Sequence, residues 1–377
     1  MNILQTLDIE KNCKGIYHSQ GFEFDNYQEL IKNHNYAWRH SEILNDEQYQ
    51  YLYIFLKKEN IENYTQDPDE YSNLKNILAA HQRAAAIAKV DFGTNCIFDL
   101  IPEHHMNKWF SMRQVALENL LSQKQRPSDY DILHKAHVLV SNIERQKIRY
   151  GSELRPVIYD IFGSVTGRLT TRKGSVPILT LKKEQRANIK PKNDAIVEFD
   201  LNAAEIRTLL GLQGLPQPEG DIHNWIGQEV YGGTISREQV KQSVFSWLYN
   251  FSAPKSRLDE IFSRTIFRDF YFFENRALKT PFGRNLKTDE RKAQNYLLQS
   301  TTSDQVIENA YKIQKMLHNK KSEIAFLLHD SIILDMSKED VIMLKDIKSQ
   351  FEQTRWGNFV STCKVGKDFG NLKELKI

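Results

Sequence analysis

Residues 195–200 read AIVEFD and residues 325–334 read AFLLHDSIIL, and these two stretches decide the fold. The first is a short apolar run ending in Asp200. The second is two apolar runs, 325–328 and 332–334, separated by His329, Asp330 and Ser331, which is the pattern of a β-hairpin with a polar tip. A further run, Val157–Tyr159, is bounded by charge and proline and also predicts a strand. Long helical segments lie between these strands, so the expected class is α+β with an antiparallel sheet. If the strands of Asp200 and Asp330 are neighbours, both carboxylates project from one edge of one sheet. A carboxylate pair held that way can bridge divalent cations and support phosphoryl transfer. Taken singly, each aspartate reads as a turn residue.

Upstream of the strands, apolar spacing predicts a helix over 73–89, a second over about 108–122, and a third from Ser128 towards Ile148. The first 70 residues, rich in Tyr, Asn and acids and closed by the turn-like DPDE at 67–70, are read as a small module of unknown role. Downstream, Arg237, Lys241, Phe245 and Tyr249 recur every four residues. Steps of four keep side chains on one slowly rotating helix face, and the row extends ~18 Å at ~1.5 Å per residue. Cation, cation, aromatic, aromatic along that length suits the phosphates, sugar and base of a nucleoside triphosphate.

Composition bounds the rest. The 377 residues are 40% hydrophobic, 26% charged and 11% aromatic, which describes a folded chain of two or three units rather than a disordered one. No apolar run approaches a membrane span, and the N-terminus has acids where a secretory signal carries positive charge. Cys13, Cys96 and Cys363 are scattered without CxxC spacing, so neither a disulfide framework nor a zinc site is expected, and the expected location is the cytoplasm. Net charge is +3, unevenly spread: residues 1–100 carry 9 basic and 15 acidic side chains, residues 101–377 carry 42 and 33. The densest basic stretch, Arg172 to Lys192, has the composition of a phosphate-tracking segment and equally of a solvated loop.

These residues resemble the A family of DNA polymerases, the polymerase I-like enzymes. VEFDLNAAEIR at 197–207 is similar to the family's first carboxylate motif, LLHDSIIL at 327–334 to its second, and the RxxxKxxxFxxxY row to its nucleotide-binding fingers helix. TGRLTT at 166–171, DIH at 221–223, TPFGR at 280–284 and ERKAQNYLLQSTTSD at 290–304 agree in order. The resemblance implies a right-hand polymerase fold with an antiparallel palm sheet, helical fingers and a helical thumb. The expected domains are an N-terminal module over 1–70, thumb over 71–150, palm over 151–215 and 291–377, and fingers over 216–290.

It also implies roles. Asp200 and Asp330, with the carbonyl of Leu201, would bind two Mg²⁺ ions, with Mn²⁺ as a substitute. Arg237, Lys241 and His223 would hold the triphosphate, and Lys241 would protonate the leaving pyrophosphate. Phe245 would stack on the incoming nucleotide, Tyr249 would border the template base, and Glu205 would crowd the 2′ position and select deoxynucleotides. Arg168, Arg291, Asn295, Gln299 and His329 would contact DNA. The implied function is primer extension on a DNA template by a monomer. Its expected partners are primer-template DNA, deoxynucleoside triphosphates, and a processivity factor or separate exonuclease. Rival readings are a single-subunit RNA polymerase relative and a catalytically impaired primer-template binding protein.

Three departures stand out. Ser331 occupies a position where most of the family has Glu. Asn250 replaces the Gly after the fingers tyrosine and is expected to take a left-handed conformation. The segment 249–280 is short, which predicts pared-down fingers. Asp8 and Glu10 form a D-x-E, too little by itself for an exonuclease site, and neither an exonuclease nor a 5′ nuclease domain is expected. His104 and His105 are read as surface histidines, and Trp38 with its neighbouring tyrosines as a small core or contact patch.

Overall fold

The computed structural model describes residues 2–7, 15–91, 95–250 and 254–377. The D-x-E of Asp8 and Glu10 lies outside these residues. The chain divides into two compact units, residues 1–130 and 131–377. No helix among the described residues is long and apolar enough to cross a membrane.

In the first unit, β1 (Ile3–Thr6), β2 (Ile16–His18), β3 (Gly21–Glu23), β4 (Tyr36–Ala37) and β5 (Gln50–Tyr51) form a sheet ordered β3-β2-β1-β4-β5. The β1–β2 and β2–β3 pairs are antiparallel, whereas β1–β4 and β4–β5 are parallel. Helix α1 (Pro68–Ile87) starts at Asp67, whose carboxylate accepts from the Glu70 N–H, with Pro68 in the first turn, where its missing N–H costs nothing. Helix α2 (Glu103–Gln123) presents Met106, Phe110, Leu117 and Leu120 inward. The expected boundary at residue 70 is absent as a division. Gln5 of β1 donates to the Phe110 carbonyl at 3.0 Å and to Gln114 at 2.9 Å, and Leu7 and Tyr17 share a core with Met106 and Phe110. Strands this short cannot bury a face alone, so they take the first two expected thumb helices as their cover. The third helix, α3 (Tyr130–Gln146), runs into the second unit. Cys96 is disulfide-bonded, contrary to the expectation from scattered cysteines, because sequence spacing does not report spatial proximity; Cys363 is a buried free thiol.

The second unit is built on an antiparallel sheet of β6 (Ala195–Leu201), β7 (Glu323–Leu328), β8 (Ser331–Met336), β9 (Ser361–Gly366) and β10 (Lys373–Glu374), ordered β7-β8-β6-β9-β10. Strand β6 is central, and Ile196 to Phe199 are all buried, which explains a run with no polar alternation except Glu198. Its register places Phe199 opposite Ile332 and Asp200 opposite Ser331. Three helices follow β6: α4 (Ala204–Leu212), α5 (Ile222–Glu229) and α6 (Arg237–Tyr249). They meet in one core of Ile206, Leu209, Ile222, Ile226, Val240, Val244 and Trp247. The long α7 (Glu290–Met316) carries an unbroken buried run from Ser300 to Tyr311, polar residues included. The α+β class is as expected.

Candidate active site

Strand β6 ends at Leu201, and the backbone turns into α4 through Ala203 in the left-handed region at φ 46°. The β7–β8 hairpin turns through His329, also left-handed at φ 54°, and the Leu201 N–H donates to the Asp330 carbonyl at 3.3 Å. Two sharp turns therefore end side by side, bringing Asp200 and Asp330 to the same edge. Burial and then the Asp330 charge push the Asp200 carboxyl up to about 7, and burial raises Asp330 as well. A third carboxylate, Glu198, sits two residues before Asp200 on the same strand face and adds to that repulsion. Glu198 is itself paired with Lys364 of β9 at 3.1 Å. Glu198 carries no expected role in the sequence, although the two-residue strand period places it on the face of Asp200.

Both aspartates line a cavity of about 400 Å³. It also collects Arg168, Leu201, Glu205, His223, Arg237, Lys241, Phe245, Tyr249 and His329. The fingers row reaches it for a geometric reason. Helix α6 is started by a capping box, in which the Ser236 side chain accepts from the Gln239 N–H and the Gln239 side chain accepts from the Ser236 N–H. Its buried stripe is Val240, Val244, Trp247 and Leu248. The row 237, 241, 245, 249 is one residue out of phase with 240, 244 and 248, so it borders the core and faces the cavity. Phe245 and Tyr249 stack at 5.9 Å with a 20° interplanar angle and are about half exposed, at 48% and 42%.

Asp221, not assigned a role from sequence, organises the cationic end. It caps α5 at the Asn224 N–H (3.0 Å), accepts from the Asn202 amide (3.0 Å), and pairs with Arg237 at 2.7 Å. Burial alone would raise its pKa, but Arg237 and these hydrogen bonds outweigh it and bring the carboxyl down to about 2. His223 is buried, with Nδ1 lacking a hydrogen-bond partner, and burial holds its pKa below the usual value against the pull of Asp221. A neutral imidazole with an open nitrogen beside two cations suits a phosphate oxygen. Glu205 is fixed from two sides: Arg168 forms an ion pair with it, and the Tyr249 hydroxyl donates to it. Burial nevertheless raises its pKa.

Arg291, Asn295 and Gln299 do not line the cavity. They lie four residues apart along α7, with Arg291 exposed and the other two half-buried. Behind the Thr166–Arg168 turn, Arg284 and Asp304 form a bidentate ion pair, with Arg284 Nε 2.8 Å and Nη2 2.7 Å from the carboxylate oxygens, and both residues are buried. Neither was assigned from sequence, though both fall inside the matched segments. Ser331 is buried and its hydroxyl donates to the Leu328 carbonyl at 2.8 Å, so it closes the hairpin instead of facing the cavity. Asn250 is a correction: its φ of −111° is extended, because the helix ends without the left-handed turn expected there. Part of the basic stretch is used within the protein: Lys192 pairs with Glu323, Arg186 lies over Phe369, and Arg172 reaches Asp160 at 3.6 Å.

The donor set fits a hard divalent cation. Asp200 and Asp330 are half-buried oxygen donors whose pKa values are raised by desolvation, with the Asp330 charge adding at Asp200, which a cation between them would relieve. Among the described residues no three His, Cys, Asp or Glu side chains cluster as a metal cage.

No family model matches the chain. Among curated proteins, it is 25% identical over 296 residues to a protein named DNA polymerase from Bacillus phage SP01, covering 58% of this chain and 32% of that one. The chain thus spans about a third of the length of this curated relative. Among solved structures, it matches the POL domain of Pol1 from M. smegmatis, described as a complex with DNA primer-template and dNTP. That match has 12% identity and a TM-score of 0.48, covering 80% of this chain and 66% of that one. The printed name of the phage relative agrees with the resemblance carried by the order of the sequence motifs.

Proposed function

We propose that the chain is a template-directed DNA polymerase that adds deoxynucleotides to a primer 3′ end by two-metal-ion phosphoryl transfer. The observation that carries this reading is the meeting, in one cavity, of the Asp200–Asp330 pair with the Arg237, Lys241, Phe245, Tyr249 row. Asp200, Asp330 and the Leu201 carbonyl would hold Mg²⁺, which when bound promotes attack by the primer hydroxyl and neutralises charge on the phosphates. Arg237, steadied by Asp221, and Lys241 bind the triphosphate, and the open Nδ1 of His223 takes up a further phosphate oxygen. Lys241 supplies a proton to the leaving pyrophosphate. Phe245 covers the base. Glu205, pinned by Arg168 and Tyr249, occupies the space a 2′ hydroxyl would need, which disfavours the RNA polymerase reading. Arg168, Arg291, Asn295, Gln299 and His329 position primer and template through the backbone.

The test is extension of a labelled primer on a DNA template with deoxynucleotides and Mg²⁺, beside Asp200→Ala and Asp330→Ala. Extension by the parent alone supports the proposal. Primer-template binding without extension, in Mg²⁺ and in Mn²⁺, replaces it with the binding-protein reading.

A further inference from the structure

Asn202 is the first residue after β6, half-buried, and the polymerase reading gives it no part. Its N–H, its carbonyl and both ends of its amide are engaged, each with a different atom of the surrounding chain. The backbone N–H donates to the Val360 carbonyl at 2.7 Å, and the backbone carbonyl accepts from Arg207 Nε at 3.0 Å. In the side chain, Nδ2 donates to Asp221 Oδ2 at 3.0 Å and Oδ1 accepts from the Ile222 N–H at 3.1 Å.

The backbone bonds act on the metal side of the cavity. The peptide joining Leu201 to Asn202 is planar and trans, so its N–H and C=O point in opposite directions. Holding the Asn202 N–H on Val360 therefore fixes the direction of the Leu201 carbonyl, the backbone oxygen assigned to the metal. Arg207 stiffens the same junction. It is fully buried, and its other two nitrogens donate to the carbonyls of Pro218 at 3.0 Å and Gly220 at 2.5 Å. One guanidinium thus ties the end of β6 to the loop that leads into α5.

The side-chain bonds act on the triphosphate side. Asp221 Oδ2 is shared between Asn202 and Arg237, the latter at 2.7 Å, while Asp221 Oδ1 caps α5 at the Asn224 N–H. Arg237 opens α6, and its side chain is 41% exposed, so an unanchored guanidinium there would spread over many rotamers. Asp221 and Glu238 take only part of its donor set, which leaves N–H groups for phosphate oxygens. The identity of residue 202 follows from this double duty. An amide can donate to a carboxylate and accept from a backbone N–H at once; aspartate has the shape without the donor, serine lacks the reach, and glutamine is a methylene too long.

We propose that Asn202 is a positioning residue: through Asp221 it sets where Arg237 stands relative to the Leu201 carbonyl, so that triphosphate and metal are received at a fixed spacing. The inference rests on the polymerase reading of the cavity, and it gives Asn202 no contact with substrate.

The experiment uses the full chain bound to primer-template, with Asn202→Asp and Asn202→Ala beside the parent. Asn202→Asp keeps the shape and the acceptor for Ile222 and replaces only the donor, setting a second carboxylate against Asp221. The readings are affinity for a non-hydrolysable deoxynucleoside triphosphate in Mg²⁺, affinity for primer-template, and KM and kcat for deoxynucleotide. Asn202→Asp is expected to bind the triphosphate analogue roughly tenfold more weakly and to raise KM by the same factor. Its kcat and primer-template affinity should stay within about twofold of the parent, because the change is confined to triphosphate binding. Asn202→Ala removes both side-chain bonds without adding charge; it should shift the same quantities the same way by roughly threefold, and it serves if Asn202→Asp does not fold. Unchanged triphosphate affinity in a folded variant overturns the proposal, and so does an equal loss of triphosphate and primer-template affinity, the mark of a loosened fold. A parent that binds no triphosphate analogue overturns the polymerase reading and this inference together, whereas a binding parent with unaltered variants overturns this inference alone.

Discussion

Gly167 offers a quantitative test of how the site is braced. It sits in the left-handed region at φ +76°, directly before Arg168, and a Cβ placed there would lie 2.5 Å from Cζ and 2.7 Å from Nε of Arg284. The far end of a free arginine would swing away. This one is held by Asp304 through contacts of 2.7 and 2.8 Å, inside the protein, and has nowhere to go. Gly167→Ala therefore carries two costs: about 1–2 kcal/mol for an L-residue in the left-handed region and about 1–3 kcal/mol for overpacking against a fixed neighbour. Gly174 isolates the first cost, since its φ is +90° and a Cβ there meets nothing within 4 Å. Unfolding free energies from urea titration should place Gly174→Ala about 1–2 kcal/mol below the parent and Gly167→Ala a further ~1–3 kcal/mol below that. The same displacement moves Arg168, the cation on Glu205, so primer extension should fall in Gly167→Ala and hold in Gly174→Ala. Equal stability of the two variants, within ~0.5 kcal/mol, would refute a rigid Arg284–Asp304 brace.

Asp330→Asn removes a charge that repels Asp200 at a half-buried edge, so in metal-free buffer its melting temperature should equal or exceed the parent's. Primer extension by the same variant should drop by roughly a thousandfold, the loss of several kcal/mol of charge stabilisation; a fall in both would show a structural role only. Tyr249→Phe deletes the hydroxyl that donates to Glu205, and a hydrogen bond to a carboxylate is worth about 1.5–3 kcal/mol. Discrimination against ribonucleotides should relax by roughly tenfold in competition assays, and unchanged discrimination would detach Glu205 from sugar selection. Glu308, buried beside Lys135 and Arg355, has its carboxyl brought down to about 2 by those cations against the upward push of burial. A depressed carboxyl contributes stability that is complete above its ordinary value of 4.5 and is lost as pH falls towards 2. Glu308→Gln should thus narrow its stability deficit from about 3 kcal/mol at neutral pH to near zero at the acid end of that window, and a deficit independent of pH would argue against the charge.

The residues that carry the proposed chemistry were legible because strand and helix periods leave a linear imprint. Asp200 at the end of an apolar run, Asp330 between two such runs, and the four-residue step from Arg237 to Tyr249 each depend only on local geometry, and the structure gathers them around one cavity. Glu198 shared that imprint and needed only the strand period to be noticed. What the sequence could not express was pairing over distance. The grip of Asp221 on Arg237, the Arg284–Asp304 brace behind Gly167, and the inward turn of Ser331 to the Leu328 carbonyl are contacts between segments whose approach is set by packing of α4 to α7 around the sheet. The same holds for the first unit. Its strands of two to four residues are too short for a hydrophobic period, and they became a sheet only because helices α1 and α2 cover them. That cover is also what buried Arg113, which in the sequence is one more cation on an amphipathic helix.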